Sequence, residues 1–273
     1  MRPAHSSSRP RRSAALSCAA SLKASRELTE AGAIRALFGE FDCRLRRAGY
    51  LAMGGQIVDS TLVSAPRQRN TEDEKAAIEA GKGAAEIWPD DPHKAAKKDT
   101  DARWTVKIAR PRNKDAPRRV PELAIPVFGY KNHIDIDRAH GFIRGFQVTD
   151  AAAHDGKMLR ALVTTDNTAS DVWADTAYCS KKNEAWLERK GRTLRIHRRK
   201  PKGRPMPKCT ARANARKSAV RAAVEHVFAH QKDRMGLFIR TIGIKRAEAK
   251  IGLANLAYNF QRLIFHERRP ATG

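Results

Sequence analysis

The sequence predicts a mixed α/β protein in which helices pack on the faces of a mixed sheet. Three observations carry this expectation. Apolar runs rich in β-branched residues alternate with amphipathic helical stretches, a long hairpin pattern lies near the middle, and 41% hydrophobic residues over 273 positions suffice for a sizeable core. No sequence repeat is evident.

The elements follow in chain order. Residues 1–26 contain no acid and are rich in Arg, Ser and Ala; the apolar run AALSCAASL is weak for a targeting peptide, so they read as a disordered leader. Ile34, Leu37, Phe38, Phe41 and Leu45 then recur at helical spacing, with Gly49 as the stop. QIVDSTLV reads as a buried strand with Asp59 in its middle. Residues 66–124 are polar, charged and Pro-containing, a long and partly mobile insertion with one short helix near Glu72 to Gly81.

Regular patterning resumes with IPVFGYKNHIDID, a turn at RAHG, and FIRGFQVTDA, together a long antiparallel hairpin. HDGKMLRALV reads as a short helix, SDVWADTAY as a buried strand ending in Asp175, SKKNEAWLERKG as a polar helix and RTLRIHRR as a strand. A basic loop with Pro201, Gly203, Pro205 and Pro207 leads to a helix over Ala213 to Gly236, and a last apolar helix ends near Glu267.

Charge narrows the partner. Lys and Arg number 54 against 29 Asp and Glu, a net charge of +25, and the sequence pI is about 10.6. Such an imbalance costs self-repulsion unless a polyanion is the working partner, and nucleic acid is the first candidate. No apolar run approaches the roughly 18 residues of a spanning helix, so no membrane partner is expected. Cys18, Cys43, Cys179 and Cys209 lack the short paired spacing of zinc sites and read as reduced, structural thiols of a cytosolic protein.

Three acids stand out. Asp59 and Asp175 interrupt apolar, strand-like runs, where a carboxylate must be paired, bind metal or lie at a sheet end. Glu225 is the sole acid between Arg189 and Lys232, a stretch holding fifteen Lys or Arg. At 100° per residue, Val220, Val224, Val227, Phe228 and Met235 form the core face of its helix, and Arg221, Glu225 and Lys232 share a ridge beside it. An ordinary ion pair between Arg221 and Glu225 would explain the glutamate alone.

Together these segments resemble the DDE transposases of bacterial insertion sequences, most closely the IS-five group of the insertion-sequence-four superfamily. The marks are GGQIVDSTLV, DARWTVK, FGYKNHIDID, ADTAY and RAAVEHVFAHQK, the last with the spacing Arg, three residues, Glu, six residues, Lys. The resemblance spans about Leu28 to Phe265 and implies an RNase H-like mixed sheet flanked by helices, with the insertion after the first strand. Its expected organisation is a non-family leader (1–27), a helix remnant of the N-terminal region (28–50), a catalytic domain (51–265) containing the flexible insertion 66–124, and a tail (266–273). The leader does not resemble the family's N-terminal helical DNA-binding segment, which implies truncation.

The resemblance implies that Asp59, Asp175 and Glu225 are catalytic and hold two Mg²⁺ ions, with Mn²⁺ as a substitute, for strand cleavage and strand transfer at insertion-sequence ends. Carboxylates suit Mg²⁺, and a two-metal site stabilises the attacking and leaving oxygens of a phosphodiester displacement. It also implies double-stranded DNA as partner, a homodimer bridging two ends, and a bacterial cytoplasmic location at the nucleoid. A non-catalytic DNA-binding remnant is the alternative.

Arg221 and Lys232 are expected to flank the phosphate. Arg198, Arg199, Lys200, Lys202 and Arg204 of the basic loop are expected to track the DNA backbone, with affinity that falls with salt. Lys131 on the hairpin faces DNA or solvent, and so does His133. Tyr178 is expected to pack, His154 and Asp155 to start a helix, and Trp173 to lie in the core, while base stacking stays open for Trp88, Trp104 and Trp186. Ser218 stands where the family often has tyrosine.

Overall fold

The computed structural model describes residues 32–109, 123–198 and 203–268, together with residues 29 and 201. The expected leader and most of the tail lie outside the described residues. Helix α1, Ala33–Arg47, buries Ile34, Phe38, Phe41 and Leu45 and leaves Leu37 exposed. It stops where the glycine indicates. Gly49, at φ 89°, lets its own N–H reach the Arg46 carbonyl at 3.0 Å and the Tyr50 N–H reach the Leu45 carbonyl at 2.9 Å, which satisfies the helix's last acceptors.

Strand β1 is Gln56–Ser64. The segment after it holds more structure than one short helix: α2 (Glu72–Glu79), α3 (Ala84–Ile87), α4 (Pro92–Lys97) and β2 (Arg103–Ala109). Two polar devices that hydrophobic periodicity does not report fix this segment. Thr71 and Glu74 form a reciprocal capping box, and Glu74 also accepts from the indole of buried Trp88. Buried Asp99 accepts from the backbone of Asp101 and Ala102 and, at 2.7 Å, from the Tyr130 hydroxyl of the central sheet.

The hairpin is β3 (Leu123–Asp137) and β4 (Ile143–Asp150); β5 (Asp171–Trp173) and β6 (Thr193–Arg195) follow, both shorter than the strands read from the sequence. The six strands form one mixed sheet in the order β2-β3-β1-β5-β6, with β4 also on β3. β1 runs antiparallel to β3 and parallel to β5, and β6 continues parallel to β5. Helices α5 (Leu159–Leu162), α6 (Lys181–Arg189), α7 (Lys208–Ala229) and α8 (Ile244–Glu267) complete the fold. This is a mixed sheet flanked by helices, consistent with the RNase H-like arrangement expected.

Register decides which side each residue of β1 serves, because directly opposed residues of an antiparallel pair share a face. Asp59 opposes Ile134 and Ile57 opposes Ile136, whereas Val58 opposes Asp135. Ile57, Ile134 and Ile136 pack against Val224, Val227 and Phe228 of α7. Val58 packs on the other face with Leu159, Leu162, Tyr178 and Leu187. Asp59 therefore points to the α7 side. No described helix is long and apolar enough to cross a membrane.

Candidate active site

Asp59 is the fourth residue of β1, and Asp175 follows β5 by two residues. The parallel register pairs Gln56 with Val172 and Ile57 with Trp173. Extending that register by two residues sets Asp175 alongside Asp59. The chain turns there: Asp175 caps a 3-10 helix, Thr176–Tyr178, its Oδ1 accepting from the Thr176 N–H at 2.5 Å. Asp59 uses Oδ1 to accept the Ser60 N–H at 2.8 Å, which leaves Oδ2 toward α7.

Arg221 of α7 joins the two aspartates. Its Nη2 donates to Asp59 Oδ2 at 3.0 Å, and its Nη1 lies 3.7 Å from Asp175 Oδ1. Arg221 and Asp59 are only 16% and 18% exposed, whereas Asp175 is half-exposed at 49%. Burial pushes the Asp59 carboxyl above the usual carboxylate range, with the charge of Asp175 adding to it; Arg221 and the Ser60 N–H pull the other way and do not cancel it. The two carboxylates thus meet at one guanidinium, with Asp59 largely withdrawn from water and Asp175 half open to it.

Glu225 lies one turn beyond Arg221 on α7, exposed to solvent. The simple ion pair with Arg221 is not formed, because Arg221 is engaged by the aspartates. Among the described residues no group of three or more His, Cys, Asp or Glu side chains is close enough to hold a metal ion. The structure brings Asp59, Asp175 and Arg221 together and leaves Glu225 outside that contact.

The straight-helix ridge expected for Arg221, Glu225 and Lys232 also needs correction. Regular α-helix ends at Ala229, and His230–Arg234 winds as a π-turn, whose wider spacing changes the angle per residue before Lys232 is reached. The turn is pinned from inside by three buried amides. Asn132 Nδ2 donates to Gln231 Oε1 at 3.2 Å and to Asn255 Oδ1 at 2.9 Å; Gln231 Nε2 donates to Asn255 Oδ1 at 2.7 Å, and Asn255 Nδ2 returns to Asn132 Oδ1 at 3.2 Å. Desolvation, and then the like charge of Lys107, hold the Lys232 ammonium below the ordinary lysine range.

The other sequence-derived candidates fall into different places. Arg198 is tied to α7 through its backbone, whose N–H and carbonyl both pair with the Asn214 amide at 3.0 Å, and its side chain is exposed; Arg204 is exposed too. Arg199, Lys200 and Lys202 lie outside the described residues. Lys131 does not face open solvent: its ammonium donates to the Ala153 carbonyl at 2.7 Å and to Asp155 Oδ1 at 2.9 Å. His133 is buried, with Nε2 2.8 Å from Thr149 Oγ1, and burial pushes its imidazole down to about 4.

Tyr178 and Trp173 are buried, as is Trp88, whereas Trp104 stays 43% exposed. His154 and Asp155 do begin a 3-10 helix, Asp155–Lys157, with His154 as its cap. Cys43, Cys179 and Cys209 are exposed rather than structural, and Cys18 lies outside the described residues. The residues missed by sequence reasoning are the amide trio and Asp99; a buried polar residue inside an apolar strand or helix was the available signal for Asn132 and Asn255.

Asp59 and Asp175 suit a hard divalent cation by chemistry: both are carboxylates, and the two share a single guanidinium as counter-charge. Two acids rather than three meet here, so the fit is that of a partial site. A family model described as "Transposase DDE domain" matches residues 51–260, a span that includes Asp59, Asp175, Arg221 and Glu225. No curated protein matches the chain.

Proposed function

The chain belongs to the transposase DDE domain family, and we propose that it cleaves DNA at insertion-sequence ends and joins the freed ends to target DNA. Membership supports DNA binding, a role in transposition, and nuclease or transesterase chemistry in general. The finer reading is ours: Asp59, Asp175 and Glu225 are the catalytic carboxylates, in an element of the IS-five type. The observation that carries it is the Arg221 guanidinium shared between Asp59 and Asp175, two residues far apart in the chain.

Asp59 and Asp175 would hold divalent ions, with Glu225 as the third ligand. When bound, Mg²⁺ or Mn²⁺ supplies charge for the attacking and leaving oxygens of the phosphodiester. The protein's own groups orient the rest. Asp175 is fixed by capping its short helix, and Asp59 by the Ser60 N–H. Arg221 would serve as partner for the scissile phosphate, since its planar fork matches a phosphate as well as a carboxylate. Arg198, Arg204 and the neighbouring basic residues would then follow the DNA backbone. A homodimer on two DNA ends completes the proposal.

One observation favours a second reading, a DNA-binding remnant without catalysis: Glu225 stands outside the contact that joins the two aspartates. Purified chain with Mn²⁺ and DNA bearing the element's ends separates the two. Nicking that disappears in Asp59→Ala and in Glu225→Ala supports catalysis; DNA binding without nicking, unchanged by both substitutions, supports the remnant.

A further inference from the structure

We infer that Lys131 is a positioning residue that, through Asp155, Gly156 and Asn183, locks the short helix behind Asp175 against the central sheet. The inference rests on the proposed role of Asp175. It starts from an allocation of charge. Lys131 on β3 and Asp155 on the first 3-10 helix are 14% and 25% exposed and 2.9 Å apart, and the same ammonium also holds the Ala153 carbonyl. His133 approaches Asp155 no closer than 3.9 Å, and its depressed imidazole pKa leaves it neutral at physiological pH. Lys131 is therefore the cation that fixes Asp155, two of its three donor positions being directed at protein oxygens.

The lock then passes to the second 3-10 helix. Gly156 packs so closely on Thr176–Tyr178 that a Cβ there would sit 2.6 Å from the Ala177 carbonyl oxygen, which only glycine avoids. Asn183 of α6 spans the same joint, its Nδ2 donating to the Gly156 carbonyl at 2.9 Å and to the Tyr178 carbonyl at 3.0 Å. Asp175 caps this second helix and, among the described residues, has no strand pairing of its own. Its position is thus set by a chain of contacts that begins at Lys131, one residue after Tyr130 on the longest strand.

The test uses the full chain with Lys131→Met, Lys131→Arg, Asp155→Asn and the Lys131→Met/Asp155→Asn pair. Hydrogen exchange followed by mass spectrometry should show the peptide spanning 175–183 exchanging roughly tenfold faster in Lys131→Met and in Asp155→Asn. The pair should be no worse than either single change, Lys131→Arg should retain most protection, and β1 should be unaffected. Mn²⁺ affinity should fall about tenfold with DNA affinity unchanged.

Unchanged exchange at 175–183 in both single variants overturns the lock. So does loss spread evenly through β1 and β3, which marks simple destabilisation. A fall of about 1 in the salt slope of DNA binding in Lys131→Met, absent from Lys131→Arg and Asp155→Asn, would make Lys131 a phosphate contact instead. Should Lys131→Met fail to fold, Asp155→Asn and Lys131→Arg address the same contact. If Asp175→Asn binds Mn²⁺ and nicks DNA like the parent, the catalytic reading of Asp175 fails, while the exchange result still decides the lock.

Discussion

The guanidinium of Arg221 lies 3.0 Å from Asp59 Oδ2, across 162 positions of sequence, and so supplies the counter-charge that a buried strand carboxylate requires. Removing it leaves Asp59 buried beside Asp175 without the one cation paired with both among the described residues. Arg221→Ala should therefore lose about 1–3 kcal/mol of stability without divalent ions. Mn²⁺ should restore part of that loss, because an ion bound to the folded state stabilises it by mass action and would take the place of the arginine. Urea unfolding with and without Mn²⁺ measures both effects; a deficit indifferent to the ion means that the aspartates do not bind it.

Asp135 offers a pH test away from this site. It points to the sheet face opposite Asp59, fully buried, and neither carboxylate oxygen has a hydrogen-bond partner among the described residues. Burial holds its pKa well above the usual value, and the charge of Asp137 adds to this. A group whose folded pKa is raised favours the fold while protonated. Its contribution is complete below the unfolded pKa of about 3.9 and is lost as pH rises through the folded value. Asp135→Asn, which mimics the protonated acid, should flatten that part of the stability profile and be more stable than the parent at the alkaline end. Parallel pH slopes for the two chains would contradict a protonated Asp135.

The amide trio predicts a stability effect that involves no ionised group. Asn255→Ala leaves both Asn132 and Gln231, each fully buried, short of a partner. Each buried orphan costs about 1–3 kcal/mol, so roughly 2–5 kcal/mol should be lost. Because the three act as one network, Asn132→Ala combined with Asn255→Ala should cost clearly less than the sum of the two. Additive losses in denaturant unfolding would mean the amides are independent. The π-turn at His230–Arg234 should loosen first, since Gln231 is its inward anchor.

What the sequence disclosed follows from the range over which each interaction acts. α1 was legible because its apolar spacing and Gly49 are local, and β1, β3 and β4 because their β-rich apolar runs and the turn between β3 and β4 are local too. Asp59 and Asp175 were visible as acids in apolar runs. Glu225 was visible only through the charge around it, and that signal does not say whether its side chain reaches the aspartates. The Arg221–Asp59 pair was hidden, since the alternative partner Glu225 lies four residues away while Asp59 is 162 residues distant. The π-turn has no local signature, because a network closed by Asn132 and Asn255 imposes it. β2 was hidden in a charged segment whose pairing partner, β3, comes later in the chain.

The salt dependence of DNA binding tests how the basic surface is used. Arg198 and Arg204 are exposed, and Asn214 clamps the Arg198 backbone to α7 at 3.0 Å, so the Arg198 side chain is held next to a helix that also carries Lys208, Arg212 and Arg216. A phosphate contact releases about 0.9 counterion from duplex DNA, whatever the sequence. Arg198→Ala and Arg204→Ala together should lower the slope of log affinity against log salt by about 1.8, and should weaken end-bearing and unrelated DNA alike. Anisotropy titrations over about 50–200 mM salt give the slope. Selective loss on end-bearing DNA would assign these arginines to base reading, and an unchanged slope would remove them from the interface. Asn214→Ala should then behave as a weaker version of Arg198→Ala, because it frees the backbone that presents the guanidinium without removing the charge.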